Sequence, residues 1–235
     1  KDTPKISISS NKVKSTNSIT ISLKNSTWSP LKAKSVTATI NNKKYPLSTD
    51  SKGCASLKVN LPAKTYKLKI NFEGDENYTS VSKTFTVKVS KLNTKIAHSA
   101  NFVLKGKYLY AYLSDANGNP LSSKKIVFNI NGKSYSKTTN KNGRADHKIS
   151  LYPSAYSVTI KYGGNGYYNP ASKKFSLKVM QYTNINIENT RLLSNGYLRI
   201  YLKDYSKSLI SHKDMTIKVG GKKFNKKTNS EGIIV

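Results

Sequence analysis

The chain repeats itself. Displaced by 90 residues, Leu23 falls on Leu113, Pro30-Leu31 on Pro120-Leu121, Ile40 on Ile130, Gly53 on Gly143 and Tyr66 on Tyr156, without an insertion. Phe72, Gly74, Tyr78, Phe85 and Val89 likewise fall on Tyr162, Gly164, Tyr168, Phe175 and Val179. A third copy follows at a spacing of 89, with Leu202, Ile210, Val219, Phe224 and Gly232 matching Leu113, Leu121, Ile130, Tyr135 and Gly143. A period of this length is enough for a small domain to bury its own core, so the chain should fold as beads on a line. The expected units are 1–91, 92–181 and 182–235. The third copy stops in mid-pattern at Val235, without counterparts of residues 147–181. The expectation is an incomplete third domain whose apolar faces and unpaired edges invite contact with another chain.

Each copy reads as all β. Ile19, Ile21 and Leu23 alternate with Ser18, Thr20 and Ser22, and Val36, Ala38 and Ile40 alternate with Thr37 and Thr39. Such a period of two marks half-buried strands. Asn41-Asn42, Asn131-Gly132 and Gly220-Gly221 then occupy one position, and each dipeptide tolerates the positive φ of a type I′ hairpin turn. A second turn ends in glycine at Gly53, Gly143 and Gly232. Further on, Tyr66 and Tyr156 stand where a tyrosine corner would bond its hydroxyl back to the turn before it. The period, the strand pattern and the turns together predict tandem immunoglobulin-like β-sandwiches in a linear array.

The segment Asn131 to Asn169 carries the pattern Asn-Gly-Lys-x-Tyr, Thr-Thr-Asn-x-Asn-Gly-x-Ala, Tyr-x-Val-x-Ile-x-Tyr-x-Gly and Tyr-Asn. In this it resembles the bacterial-type Ig-like repeats of group 3, found in large adhesin-like surface proteins of methanogenic archaea. Thr65 and Ala155 stand where those repeats usually have glycine before the corner tyrosine. The resemblance implies a non-catalytic stalk or spacer in an extracellular cell-surface adhesin, displaying a binding region or touching wall polymer itself.

Forty-one basic residues against 11 acidic give a net charge of +30. Such a chain attracts anions generally. All but Arg144, Arg191 and Arg199 of the basic residues are lysines, whereas base-edge readout and bidentate phosphate contacts favour arginine. The expected partners are therefore an anionic wall polymer, a glycan or another cell's surface, and nucleic acid only without specificity. No apolar run approaches the ~20 residues that cross a bilayer.

Chemistry finds little foothold. His98, His147 and His212 lie at non-equivalent places in the three copies and read as ordinary surface or edge residues. No zinc, hydrolase or phosphate-loop motif occurs, so no catalytic residue, metal or cofactor is expected. The one acidic cluster, Glu73, Asp75 and Glu76, is replaced in the second copy by Gly163, Asn165 and Gly166, which argues for a loop without shared chemistry. By alternation the single Cys54 points outward, where the second copy has Arg144.

One surface stands out between copies. Where the first has Ser18, Thr20 and Ser22 facing out, the second has Tyr108, Tyr110 and Tyr112, and the third Tyr197, Arg199 and Tyr201. Tyrosine offers a rigid apolar face with a polar tip, suited to sugar rings or a partner surface, although it is also a favoured strand residue that lysine stems can cover. Asn25-Ser26-Thr27 and Asn77-Tyr78-Thr79 are sequons, so Asn25 and Asn77 are candidate glycosylation sites. Besides the stalk, two other readings stand: a carbohydrate- or wall-binding module of a larger hydrolase or viral tail fibre, and a non-specific nucleic-acid binder.

Overall fold

The computed structural model describes residues 1–188, 198–204 and 207–234. Among them every regular element is a strand. The first copy contains β1 (Lys5–Ile8), β2 (Lys12–Lys14), β3 (Ser18–Lys24), β4 (Ser35–Ile40), β5 (Lys43–Ser48), β6 (Cys54–Lys58), β7 (Lys64–Phe72) and β8 (Val81–Ser90). They form a three-stranded sheet, β1-β3-β6, facing a five-stranded one, β2-β8-β7-β4-β5, in which only β2 and β8 run parallel. The second copy repeats this with β9 (Thr94–His98), β10 (Phe102–Leu104), β11 (Tyr108–Asp115), β12 (Lys125–Ile130), β13 (Lys133–Thr138), β14 (Arg144–Lys148), β15 (Ser154–Tyr162) and β16 (Ala171–Met180). Its sheets are β9-β11-β14 and β10-β16-β15-β12-β13. This is an immunoglobulin-like sandwich, twice over.

The third copy contributes β17 (Thr183–Glu188), β18 (Arg199–Asp204), β19 (Asp214–Val219), β20 (Lys222–Lys227) and β21 (Ile233–Ile234). They form the sheet β17-β18-β21 and the hairpin β19-β20. Val219 and Phe224 are exposed here, whereas their counterparts Ile130 and Tyr135 belong to the second core.

Alternation decides the packing. Ile19, Ile21 and Leu23 of β3 meet Val36, Ala38 and Ile40 of β4 in one buried cluster, joined by Leu68 and Ile70 of β7. A separate cluster repeats the arrangement with Leu109, Ala111, Leu113, Ile126, Phe128 and Ile160. Burying each large side chain of this kind stabilises by ~1.5–3 kcal/mol. The predicted hairpin turn holds in all three copies: φ is 50° and 61° at Asn41-Asn42, 49° and 81° at Asn131-Gly132, and 54° and 79° at Gly220-Gly221. The tyrosine corner holds as well, because the Tyr66 hydroxyl donates to the Pro62 carbonyl at 3.0 Å and Tyr156 to the Tyr152 carbonyl at 2.9 Å. Thr65 and Ala155 therefore serve without the usual glycine.

One device is not apparent in the alternation. Thr49, Thr139 and Thr228 are almost wholly buried. The Thr139 hydroxyl donates to the Leu121 carbonyl at 2.6 Å and accepts from the Lys124 amide at 2.9 Å. Thr49 does the same to Leu31 and Lys34, and Thr228 to Ile210 and Lys213. The backbone of each threonine also bonds the residue at the bend, Ala33, Ser123 or His212. Those three residues have φ of 57°, 55° and 54°, a left-handed conformation that costs a non-glycine residue about 1–2 kcal/mol. The threonine clasp holds that bend. Beside it, Gly53 at φ 68° lies so close to β3 that a Cβ would come within 2.6 Å of the Leu23 carbonyl oxygen.

Consecutive sandwiches also touch directly. The Ala63 amide donates to the Gly166 carbonyl at 2.8 Å, and a Cβ on Gly166 would lie 3.1 Å from Pro62 Cβ. The corresponding position in the first copy is Glu76.

Two outcomes are expected. Thr139→Val leaves a buried carbonyl and amide unpaired, and denaturant unfolding should show the second copy losing about 1–3 kcal/mol. Gly166→Glu should break the junction, so that hydrogen exchange at the Ala63 amide speeds up by roughly tenfold or more while amides within each core are unchanged.

Candidate functional site: the tyrosine face

On β11 the side chains of Leu109, Ala111 and Leu113 enter the core, which sends Tyr108, Tyr110 and Tyr112 to the outer face of the three-stranded sheet. Opposite them on β14 stand Lys148, Asp146 and Arg144. The Tyr108 and Tyr110 rings lie 6.4 Å apart and nearly parallel, at 13°. The middle ring is occupied: the Arg144 guanidinium sits over Tyr110 at 4.8 Å and is held there by two contacts to the Asp146 carboxylate, Nε to Oδ1 at 2.9 Å and Nη2 to Oδ2 at 3.0 Å. Tyr108 and Tyr112 remain exposed, at 47% and 40%. The face thus presents two rings flanking a cation, in place of an open stripe of three. Nearby, the Lys105 ammonium lies 4.5 Å over the ring of Tyr152.

In the third copy Arg199 and Tyr201 share the outer face of β18, opposite Glu188 and Asn186 of β17. The Tyr201 hydroxyl donates to Glu188 Oε2 at 2.8 Å, and this bond to a carboxylate pushes the phenol above its ordinary pKa. Tyr197 lies outside the described residues. The first copy has only Ser18, Thr20 and Ser22 here, with Cys54 paired across from Ser22 as a half-exposed free thiol.

The candidate glycosylation sites differ in setting. Asn25 is half-buried, and its Oδ1 accepts from the Thr27 amide, the Thr27 hydroxyl and the Ser29 amide. It shapes a loop, as Asp115 does at the same position in the second copy. Asn77 is exposed.

Two of the histidines stand on the edge strands β14 and β9, as an edge reading expects, but turn toward the core. His147 faces inward beside Leu109, half-buried between Tyr135 at 4.3 Å and Phe128 at 5.6 Å, and its Nδ1 has no hydrogen-bond partner among the described residues. His98 stacks on Phe175 at 3.7 Å. Their counterparts in the first copy are Leu57 and Ile8, so both occupy apolar positions of the sandwich. Comparison of copies at those positions was the available signal. Among the described residues no three His, Cys, Asp or Glu side chains are grouped to hold a metal ion, and no helix is long and apolar enough to cross a membrane. Exposed aromatics outside the predicted face include Trp28, Phe102, Tyr152 and Tyr182.

The profile of the macroglobulin domain MG4 matches residues 14–98, less than half of the chain. The match begins in β2 and ends in β9, one strand into the second copy, and supports the Ig-like character of the repeat. No curated protein sequence matches the chain. Among solved structures, invasin, described as a bacterial integrin-binding protein, aligns over 88% of this chain and 48% of its own with 15% identity and a TM-score of 0.48. A Ca2+-stabilised adhesin that helps an Antarctic bacterium bind ice aligns over 99% and 64% at 13% identity, TM-score 0.30. The Yersinia pseudotuberculosis adhesin InvE aligns over 85% and 67% at 12% identity, TM-score 0.33. The chain therefore spans about half to two thirds of the length of these proteins, and at such scores no function is carried across.

Burial holds the His147 imidazole below its ordinary pKa of 6.5, with Lys137 adding to the effect. The unfolded chain then takes up the proton first, so the stabilisation present above about pH 6.5 is lost as pH falls. Denaturant unfolding of the second copy should weaken on acidification through this range. His147→Leu, which installs the residue of the first copy, should flatten that slope.

Proposed function

We propose that the chain is a non-catalytic stalk or spacer segment of an extracellular, cell-surface adhesin-like protein of the kind displayed by methanogenic archaea, built from tandem units at 1–91, 92–181 and 182–235. The observation that carries this is the junction: one sandwich bonds to the next through backbone, Ala63 to Gly166, with no Gly/Ser-rich linker between them. An array docked in this way transmits position along its length, which a stalk requires and a set of freely jointed beads does not provide. The sandwiches are filled by aliphatic side chains, and their surfaces carry lysines on most strands and turns. A net charge of +30 draws such a stalk toward anionic wall polymer or a partner cell.

A second reading is favoured by the tyrosine face. Tyr108 and Tyr112 are exposed on the outer face of the sheet, with Arg144 over Tyr110 between them. Two aromatic planes beside a fixed guanidinium suit a glycan, with the rings stacking on sugar faces and the cation meeting hydroxyls or an acidic substituent. That would make the second copy a carbohydrate- or wall-binding module of a larger hydrolase or tail fibre. Non-specific attraction to nucleic acid follows from charge alone and should disappear as salt rises.

Sedimentation with purified wall material and whole cells, at low salt and at about 0.5 M, separates the readings, because general charge attraction is screened within a few Å at the higher salt. The spacer reading expects retention at low salt only, or none. Retention that persists in salt and is lost in Tyr108→Ser/Tyr110→Ser/Tyr112→Ser would establish the glycan face and overturn the spacer assignment for this copy.

A further inference from the structure

The turn that follows the third strand of the sandwich is built alike in all three copies. The Trp28 amide donates to the Asn25 carbonyl at 3.1 Å, the Gly118 amide to that of Asp115 at 3.1 Å and the Lys207 amide to that of Asp204 at 3.0 Å. Each closing residue is left-handed, with φ of 68° at Trp28, 86° at Gly118 and 66° at Lys207. Glycine takes that conformation freely, whereas a bulky side chain is strained there. A Cβ on Gly118 would meet nothing within 4 Å, so the turn offers a side chain at this place no packing in return. The first copy nevertheless sets the chain's single tryptophan there.

The fold does not use this ring. Trp28 is 60% exposed and has no part in the first core. It is held in place all the same. The Lys5 ammonium lies 4.5 Å over the ring and is tethered to the Ser26 carbonyl at 2.9 Å. The turn itself is fixed by three hydrogen bonds to Asn25 Oδ1 and by the Ser26 amide donating to Asp2 Oδ2 at 3.0 Å. Strain retained at an exposed, positioned side chain belongs to a role outside the fold.

The surroundings of the ring select its partner. Trp28 is the one large apolar side chain exposed in the first copy. Its neighbours Ser26, Thr27 and Ser29 are exposed and polar. A protein interface centres on a cluster of apolar anchors, and a bilayer anchor needs an apolar face; a lone ring supplies neither. A pyranose asks for less, because its CH groups stack on a single aromatic plane while the hydroxyls at its rim bond to polar groups beside it. A preceding sandwich is a poor candidate, because the second copy has one before it and the place of Gly118 is still open.

We propose that Trp28, held by Lys5, is a stacking platform for a sugar ring, and that its ligand class is a glycan of β-linked, all-equatorial pyranoses, whose CH faces are the flattest. The site shares no residue with the tyrosine face of the second copy. It rests on the proposed function only in that a cell-surface stalk meets glycans, and the stalk reading stands if no sugar binds.

The test is a fluorescence titration of the full chain with cellohexaose and with chitohexaose, at about 0.15 M and about 0.5 M salt. Excited beyond the tyrosine band, the single tryptophan reports this site alone. The expected result is a saturable spectral change at millimolar sugar with at least one probe, the same at both salts and unaltered by Tyr108→Ser/Tyr110→Ser/Tyr112→Ser. Trp28→Gly installs the residue of the second copy. It should keep about the parent's denaturant midpoint, since relief of strain offsets the added freedom of the unfolded chain. Calorimetry should show its affinity for the same oligosaccharide reduced roughly tenfold or more. No saturable change with either sugar would overturn the proposal, and so would a change seen only with phosphatidylserine vesicles, which would assign the ring to a bilayer surface. A Trp28→Gly chain that unfolds well before the parent would overturn it too, because the ring would then serve the fold.

Discussion

A buried threonine hydroxyl, repeated once per copy, fixes the bend on which each sandwich is built. The chain must cross from the three-stranded sheet to the five-stranded one between β3 and β4, and between β11 and β12. At that crossing it places a non-glycine residue in a left-handed conformation and buries backbone groups that no strand pairs. Thr49, Thr139 and Thr228 answer both problems at once, bonding a carbonyl and an amide of the bend with one hydroxyl. Hydrogen bonds of this kind contribute modestly when made and cost more when a partner is lost. That asymmetry holds the two sheets at a fixed offset and lets the apolar faces of β3 and β4, or β11 and β12, meet as one core.

Against this constant frame the copies differ at positions that do not carry the fold. The outer face of the three-stranded sheet goes from Ser18, Thr20 and Ser22 to Tyr108, Tyr110 and Tyr112 without disturbing the inward residues, because the pleat separates the two faces. The loop after β7 goes from Asp75 to Asn165 while keeping its backbone bonds. In both cases a substitution changes what the surface offers and leaves the sandwich intact. Each copy of such an array can be read as an independent experiment on one scaffold, with the first copy as the reference for the second.

Much of this architecture was legible before any coordinates. The alternation of Ile19, Ile21 and Leu23, the paired asparagines and glycines of the hairpin and the recurring Gly53, Gly143 and Gly232 act locally, through pleat and φ, and appear in the structure as read. Other features escaped for identifiable reasons. Thr139 stands in a polar run, Thr-Thr-Asn, where composition suggests solvent, and only the crossing chain buries it. His147 interrupts an apolar alternation, so a reading that treats histidine as polar puts it outside. Tyr110 counted as an exposed ring until Arg144 on the neighbouring strand was placed over it.

The sequence by itself determined the repeat, the all-β class, the turns and the inward face of each strand, because these depend on contacts within a few residues and on a period of two. Only the tertiary structure decided which polar groups find partners: that Lys34 meets Asp75 from 41 residues away, that Lys124 forms no ion pair among the described residues, that the Tyr162 hydroxyl is buried without a partner among them, and that Ala63 bonds to Gly166 across the junction. These depend on where the chain returns in space, and the pattern of residues along it carries no direct record of that.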